Sequence, residues 1–246
     1  MTTTVGVSLK TYFSHADALA WMTEVAELVR GVEGVASGAV RVFVAPTFLQ
    51  IPAAVDAFVG TGVAVAAQDV SAHPVGAFTG EVTATELAEV GAAIVEIGHA
   101  ERRRLFGETD TEVAQKTAAA LHAGLTPLIC VGEVAREDTA AAVAAVRAQL
   151  DAALASAPEG PVIVAYEPVW AIGAPVPAPP DHIAAVTRSL RTALAARPDS
   201  AVVYGGSAGP GLLTALGDAV DGVFLGRFAH DPARLADVLR EAGARS

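Results

Sequence analysis

The 246-residue sequence contains a single cysteine, Cys130, which excludes an internal disulfide framework. A lone thiol fits a reducing compartment, so we expect a cytoplasmic protein. Basic residues are also scarce, since 16 Lys and Arg stand against 27 Asp and Glu, giving a net charge of −11. This balance argues against nucleic acid as a partner because its phosphates would be repelled. A small anion is not excluded, because its site needs only a few well-placed donors.

Long hydrophobic runs are absent too. No stretch reaches the roughly 18 uncharged apolar residues of a membrane span. The opening segment MTTTVGVSLK has too short an apolar run for a signal peptide. Hydrophobic residues still make up 52% of the chain and charged residues 17%, which is enough for a large core. We expect a folded protein that has no membrane partner.

The same sequence pattern repeats along the whole chain. Short runs rich in Val and Ile alternate with longer Ala-rich segments of helical period. Near-continuous apolar strands are typical of parallel sheets that helices cover on their faces. Eight such strand–helix units in about 250 residues predict a single (β/α)8 barrel domain over residues 1–246. A doubly wound open sheet is the alternative, but the dinucleotide fingerprint G-x-G-x-x-G is missing after the first run. The eight runs are 4–10, 40–46, 63–69, 92–99, 126–133, 161–167, 201–206 and 222–226.

Polar residues stand at or just past the ends of these runs. In a (β/α)8 barrel the carboxyl ends of the strands form one face, where active sites lie. Taken singly, each residue has an ordinary interpretation: a solvated lysine, a hydrogen-bonded histidine, a glutamate that ends a strand. Their coincidence on one rim favours a functional site. The residues are Lys10, Gln68, His99, Glu133, Glu167 and Ser207.

Glycine-rich segments follow the seventh and eighth runs. They read YGGSAG at 204–209 and FLGRF at 224–228, and Gly173 lies in the loop after the sixth run. Loops in these positions of a barrel often bind phosphate through backbone N–H groups. Gly205 and Gly206 could instead form only a tight turn. Two glycine loops on adjacent strands, with a hydroxyl at Ser207, favour an anion site.

Several longer motifs resemble the triosephosphate isomerase family. They are IGHAERRRLFGETD at 97–110, CVGE at 130–133, AYEPVWAIG at 165–173 and YGGS at 204–207, and GAFTGE at 76–81 is similar to that family's dimer loop. The resemblance spans the chain. It implies a TIM barrel, a homodimer, no cofactor and no metal, and aldose–ketose isomerisation of a phosphorylated sugar.

The resemblance also implies roles for three residues. Glu167 matches the base that removes a proton beside the carbonyl, and His99 matches the neutral electrophile that moves protons between the two oxygens. Lys10 matches the cation that stabilises the enediolate. For this family, a histidine kept neutral by a helix N-terminus and the closure of a lid are established features.

Other positions match the family in supporting roles. Substrate and phosphate positions, the latter chiefly backbone N–H groups, are matched by Ser8, Gly173, Ser207, Gly226 and Arg227. Positions that support the site or its lid are matched by Glu101, Cys130 and Tyr204, and Cys130 could also be a plain buried apolar residue. Thr79 matches the residue that reaches across the dimer.

The chain departs from the family pattern at four points. Ser8 replaces an asparagine that contacts substrate, and Ala100 replaces a serine that hydrogen-bonds the base. Pro175 lies in the lid and has no N–H, so a closed-state bond from that position to Ser207 cannot form, although a bond from the Ala178 N–H to the Tyr204 hydroxyl still can. Arg227 stands where a second glycine is common; its N–H remains, and its side chain is free to face solvent.

Two enzymatic hypotheses follow. The first is interconversion of glyceraldehyde 3-phosphate and dihydroxyacetone phosphate, a step of glycolysis and gluconeogenesis. The second is the same chemistry on a tetrulose phosphate such as an erythrulose phosphate. A third hypothesis, from another class, is a non-catalytic phosphate-binding barrel, against which the presence of Lys10, His99 and Glu167 counts.

Overall fold

Eight parallel strands form a closed barrel in which each strand pairs with its sequence neighbours and the last pairs with the first. A computed structural model describes residues 2–245, so Met1 and Ser246, the ends of the predicted 1–246 domain, lie outside the described residues. The predicted fold class is confirmed, and each predicted run overlaps one strand, although the first strand begins one residue before its run. The strands are β1 Thr3–Ser8, β2 Val40–Ala45, β3 Val63–Ala67, β4 Ile94–Ile97, β5 Thr126–Val131, β6 Ile163–Tyr166, β7 Ala201–Tyr204 and β8 Gly222–Leu225.

Helices alternate with the strands and surround the barrel. Thr109 and Glu112 form a capping box at the start of the helix Asp110–His122, and Gly124 follows the same helix with a φ of 77°. The helices are α1 His15–Arg30, α2 Glu33–Ala36, α3 Ile51–Ala57, α4 Ala84–Glu89, α5 Ala100–Phe106, α6 Asp110–His122, α7 Thr139–Leu154, α8 Pro180–Ala193, α9 Leu212–Leu216 and α10 Pro232–Gly243. Short 3-10 helices span Phe48–Gln50, Val169–Ala171, Gly217–Ala219 and Arg227–His230. Within residues 2–245, no helix is both long enough and apolar enough to cross a bilayer.

The buried side chains form two apolar layers. One lies between the strands and the helices, and the other fills the barrel interior. Inside the barrel, the rings of Phe43 and Phe224 stack with their centroids 5.7 Å apart. A Cβ atom at Gly6 would lie 2.1 Å from the Phe43 ring, so β1 needs a glycine there for the barrel to close around this ring.

All eight strands point the same way, so their carboxyl ends meet at one face of the barrel. The chain leaves β1 at Ser8, β6 at Tyr166 and β8 at Leu225. The residues that follow these ends are therefore brought together even though they are far apart in sequence. The fold in this way places the polar residues of the sequence pattern around one opening.

Candidate active site

A cavity of about 610 Å³ opens at the carboxyl ends of the strands. The loops after β1, β4, β6, β7 and β8 contribute to its wall. Among the lining residues are most of those that the sequence singles out: Ser8, Lys10, His99, Glu101, Glu167, Gly173, Ser207, Gly226 and Arg227.

Lys10 projects into this cavity from an unusual backbone conformation. Its φ is 49°, in the left-handed region that lysine seldom adopts, at a cost of about 1–3 kcal/mol. The Gln68 side-chain amide holds this turn by donating to the backbone oxygens of Lys10 (3.0 Å) and Ala45 (2.9 Å). Gln68 thus supports the loop from below and is not part of the cavity wall.

His99 is the N-cap of α5, and its Nδ1 accepts a hydrogen bond from the backbone N–H of Glu101 at 3.1 Å. A neutral ring must then carry its proton on Nε2, which lies 2.8 Å from Nζ of Lys10. Burial lowers the pKa of His99, the Glu167 charge opposes this, and the Lys10 charge lowers it further. The histidine is therefore neutral at physiological pH, the state that the resemblance implies.

Glu167 follows β6 directly and is 4% exposed. Its Oε2 lies 3.4 Å from Nε2 of His99 and has no hydrogen-bond partner among the described residues. Burial raises its pKa, although the nearby His99 ring and the Lys10 ammonium oppose the shift. A Cβ at Gly205 would lie 2.6 Å from Cγ of Glu167, so the glycine makes room for the carboxylate.

Glu96, in the middle of β4, is a site residue that the sequence reasoning missed. It is 2% exposed, and its carboxylate lies 3.5 Å from Nζ of Lys10 and accepts a hydrogen bond from Ser8 Oγ at 3.4 Å. Burial alone would lower the pKa of Lys10, but Glu96, Glu167 and Glu101 together raise it above its ordinary value. A lone carboxylate within the apolar run AAIVEIGH was the signal that could have revealed it.

Glu101 and Cys130 border the same group of side chains. Glu101 is half-exposed in the first turn of α5, with Oε2 at 3.5 Å from Nζ of Lys10. Cys130 is buried in the barrel interior, where burial and the nearby charge of Glu167 raise the pKa of its thiol. The thiol is therefore protonated and unreactive.

Behind Glu167 lies a second, largely apolar cavity of about 310 Å³. Ala100 lines it, together with Gly98, Gly132 and the far side of Glu167. The serine of the family pattern would offer a hydroxyl at this place, whereas Ala100 offers none.

Among the described residues, no group of three or more His, Cys, Asp or Glu could hold a metal ion.

Three loops supply backbone donors at the other end of the main cavity. Within residues 2–245, no hydrogen bond is formed by the backbone N–H groups of Gly173, Ser207 or Gly226. Ser207 also donates from its hydroxyl to the carbonyl oxygens of Ala171 (3.1 Å) and Ala174 (2.6 Å). These free N–H groups can receive an anion.

The segment 173–178 lies over this end of the cavity as an uncharged lid. The Tyr204 hydroxyl accepts the Ala178 N–H at 3.1 Å, as the sequence predicts, and burial raises the pKa of Tyr204 to about 12. Glu133, which the sequence places on the rim, instead lies beneath the start of the lid. There it accepts from the Trp170 indole at 2.7 Å and the Tyr166 hydroxyl at 3.1 Å, so it anchors the lid and does not line the cavity.

Thr79 is exposed on the loop 76–81 and does not line the cavity. The ring of Phe78, beside it, stacks on His73 with centroids 4.2 Å apart.

Comparisons with known proteins agree with this geometry. A family model described as triosephosphate isomerase matches residues 3–242. The chain is similar to an L-erythrulose-1-phosphate isomerase of Pectobacterium atrosepticum, with 48% identity over 97% of this chain and 95% of that protein. It is similar to a triosephosphate isomerase of Citrifermentans bemidjiense, with 37% identity over 94% and 95% of the two chains. An L-erythrulose-1-phosphate isomerase of Mesorhizobium japonicum is also 37% identical, over 98% and 97%.

Proposed function

This chain belongs to the triosephosphate isomerase family and is an aldose–ketose isomerase, and on that premise we propose that Glu167, His99 and Lys10 move the carbonyl of a small phosphorylated sugar to the neighbouring carbon. The observation that carries this proposal is the meeting of three groups in one cavity. Nε2 of His99 lies 2.8 Å from the Lys10 ammonium and 3.4 Å from the Glu167 carboxylate. A base, a neutral donor and a cation are the groups that an enediol reaction needs.

Glu167 acts as the base. It takes a proton from the carbon beside the carbonyl and returns it to the former carbonyl carbon, so the carboxylate is regenerated. Burial raises its pKa, and a carboxylate with a raised pKa accepts a carbon-bound proton more readily. The free Oε2 has no protein hydrogen bond to give up before it reacts.

His99 and Lys10 act on the oxygens. The neutral ring donates its Nε2 proton to the carbonyl oxygen and recovers a proton from the neighbouring hydroxyl. The Lys10 ammonium attracts the negative charge that develops on these oxygens. Nζ of Lys10 and Nε2 of His99 are both donors and lie 2.8 Å apart, so one oxygen of the substrate or of the enediolate can accept hydrogen bonds from both.

The phosphate group occupies the other end of the cavity. The N–H groups of Gly173, Ser207, Gly226 and Arg227 bind it, and the lid closes over it. Excluding water strengthens the charge interactions beneath the lid and protects the enediol from losing its phosphate.

A four-carbon ketose phosphate, such as an erythrulose phosphate, is the substrate that we propose. Ser8 lies at the base of the cavity with its hydroxyl turned toward Glu96, and its side chain is shorter than the asparagine of the family pattern. The 48% identity is to a protein named for erythrulose phosphate, against 37% to one named for triose phosphate. Glyceraldehyde 3-phosphate is the second candidate, since Lys10, His99 and Glu167 all match that enzyme's motifs.

A comparison of kcat/KM for glyceraldehyde 3-phosphate and the erythrulose phosphates, in one buffer, tests this choice. We expect the tetrulose phosphate to be preferred. A preference for the triose would make Ser8 and the proline-rich lid tolerated variation in an enzyme of glycolysis and gluconeogenesis. Turnover of neither sugar would favour the non-catalytic phosphate-binding barrel.

We further propose that residues 1–246 form one domain and that the protein is a cytoplasmic homodimer. The loop 76–81 carries Thr79 and presents the half-exposed ring of Phe78, which a second copy would cover. Analytical ultracentrifugation should give twice the chain mass of 24.8 kDa. Thr79→Arg should shift this value toward the monomer, whereas Thr85→Arg, on the nearby helix α4, should not.

A further inference from the structure

Arg227 extends from the end of β8 across the mouth of the cavity to the lid. It is the first residue of the 3-10 helix Arg227–His230 and lines the cavity wall. A methyl group on the Cα of Gly173 would lie 3.9 Å from Nη2 of Arg227, so the guanidinium stands beside the first lid residue. The side chain is exposed, but it lies over the phosphate end of the cavity.

In the part of the chain that the structure describes, the Arg227 guanidinium lacks a carboxylate partner. Among residues 2–245, no Asp or Glu forms an ion pair with Arg227, whereas Arg191 pairs with Asp221 and Arg234 pairs with Asp231. The carboxylates of the site interact with other groups: Glu96 and Glu101 lie beside Lys10, and Glu167 lies beside His99. In a chain with a net charge of −11, an unpaired arginine at this place leaves a positive charge available to a ligand.

Tyr12 holds the guanidinium in this position. The Arg227 Cζ lies 5.8 Å from the centroid of the Tyr12 ring. The same ring packs edge-on against His230 at 5.5 Å, and Nε2 of His230 donates to the Ser8 carbonyl oxygen at 3.2 Å. These contacts tie the loop that carries Lys10 to the loop that carries Arg227.

We propose that the Arg227 side chain is a ligand of the substrate's phosphate group and that Tyr12 is its positioning residue. This inference rests on the proposed function for the identity of the anion. The guanidinium completes the set of N–H donors at Gly173, Ser207 and Gly226, and its planar fork binds two phosphate oxygens at once. It adds a charge where the family pattern has glycine, close to the lid position at which Pro175 removes a donor.

Direct binding of inorganic phosphate tests this without any turnover assay. Titration calorimetry on the intact protein should show that Arg227→Gln weakens phosphate binding by about tenfold or more, the usual effect of losing a charge-assisted hydrogen bond. The phosphate affinity of Arg227→Lys should lie between those of the parent and Arg227→Gln, because lysine keeps the charge but lacks the planar fork of the guanidinium. The matched control is Arg234→Gln, which removes a neighbouring arginine that packs on Phe228 but does not itself line the cavity, and this variant should bind phosphate like the parent.

The role of Tyr12 has its own readout. Tyr12→Phe keeps the ring and should bind phosphate like the parent, whereas Tyr12→Leu should bind it more weakly. In the Arg227→Gln background, Tyr12→Leu should add no further loss, because the ring acts only through the guanidinium. Additive losses would overturn the positioning role of Tyr12.

The two proposals fail separately. Parent-like phosphate binding by folded Arg227→Gln protein, or no phosphate binding by the parent, overturns the inference whatever sugar is turned over. Arginine-dependent phosphate binding supports the inference even when no sugar phosphate is turned over, which would overturn the proposed reaction instead. Circular dichroism of each variant confirms that it is folded.

Discussion

Lys10 shows at the scale of one residue how this site is assembled. Its strained backbone is stabilised by the Gln68 amide, which donates to the carbonyl oxygens of Lys10 and Ala45. Its ammonium forms an ion pair with the buried Glu96. Backbone strain of this size occurs mostly at functional sites. The position of the ammonium, and not only its presence, is therefore what the fold maintains.

Removing this ammonium should damage both binding and turnover. We expect Lys10→Ala to lower kcat/KM by roughly 10²- to 10³-fold, the usual effect of losing one group that stabilises a developing oxyanion. Lys116→Ala is the control, since that lysine pairs with Asp69 and Glu108 away from the cavity. Normal kinetics in the Lys10→Ala variant would remove Lys10 from the mechanism.

The pH profile of kcat/KM should report the shifted pKa values. Glu167 acts as a base only when ionised, and burial raises its pKa above 4.5, so activity should fall with decreasing pH at a higher pH than for an ordinary glutamate. His99 has a lowered pKa, so it should stay neutral and add no loss at pH 7–9. The raised pKa of Lys10 keeps its charge beyond pH 10.5, so the alkaline limb should lie above that value.

Glu96→Gln provides a check on this assignment. It removes the strongest nearby charge that raises the pKa of Lys10, so the alkaline limb should move to lower pH. An alkaline limb at the same pH in both proteins would mean that another group controls it.

At the scale of an element, the lid lacks one hydrogen bond of the family pattern and has other hydrogen bonds in its place. Pro175 has no N–H to give to Ser207, and the Ser207 hydroxyl instead donates to the carbonyl oxygens of Ala171 and Ala174. The Ala178 N–H is bound by Tyr204. The lid is thus attached at both ends by hydroxyl groups.

Restoring the missing donor should favour lid closure. Pro175→Ala supplies an N–H that the Ser207 hydroxyl can accept, and one such bond is worth about 1 kcal/mol, which corresponds to roughly fivefold tighter binding of a phosphorylated transition-state mimic. Pro177→Ala is the matched control, since it frees the backbone without adding that bond. Equal affinities for the Pro175→Ala variant and the parent would contradict this account of the lid.

At the scale of the whole molecule, the barrel interior contains a close contact between β1 and β2, at Gly6 and Phe43. A methyl group at Gly6 would overlap the Phe43 ring, so we expect Gly6→Ala to lower the free energy of unfolding by about 1–3 kcal/mol in urea titration. Gly31→Ala, at an unstrained position where the new methyl group meets nothing closer than 3.5 Å, should have little effect. Combining Gly6→Ala with Phe43→Leu should restore part of the loss, and no recovery would show that the overlap is not its cause.

The barrel could be predicted from the sequence because its strands are buried on both faces and read as apolar runs. The same burial made Glu96 easy to miss. Its charge is paired with Lys10 and Ser8 inside the barrel, but in the sequence it is only a single carboxylate within an apolar run. The direction of the Arg227 side chain could not be predicted either. It depends on where the fold places Tyr12 and Gly173, which are distant in sequence.

We propose that Glu167 is the base, and shortening its side chain is the sharpest test of that role. Glu167→Asp keeps the carboxylate but withdraws it by about one carbon–carbon bond, and a displacement of about 1 Å can cost ~10²-fold in rate. We predict that kcat falls by at least that factor in single-turnover and steady-state assays, while the dissociation constant of inorganic phosphate is unchanged. A kcat equal to that of the parent would contradict the account.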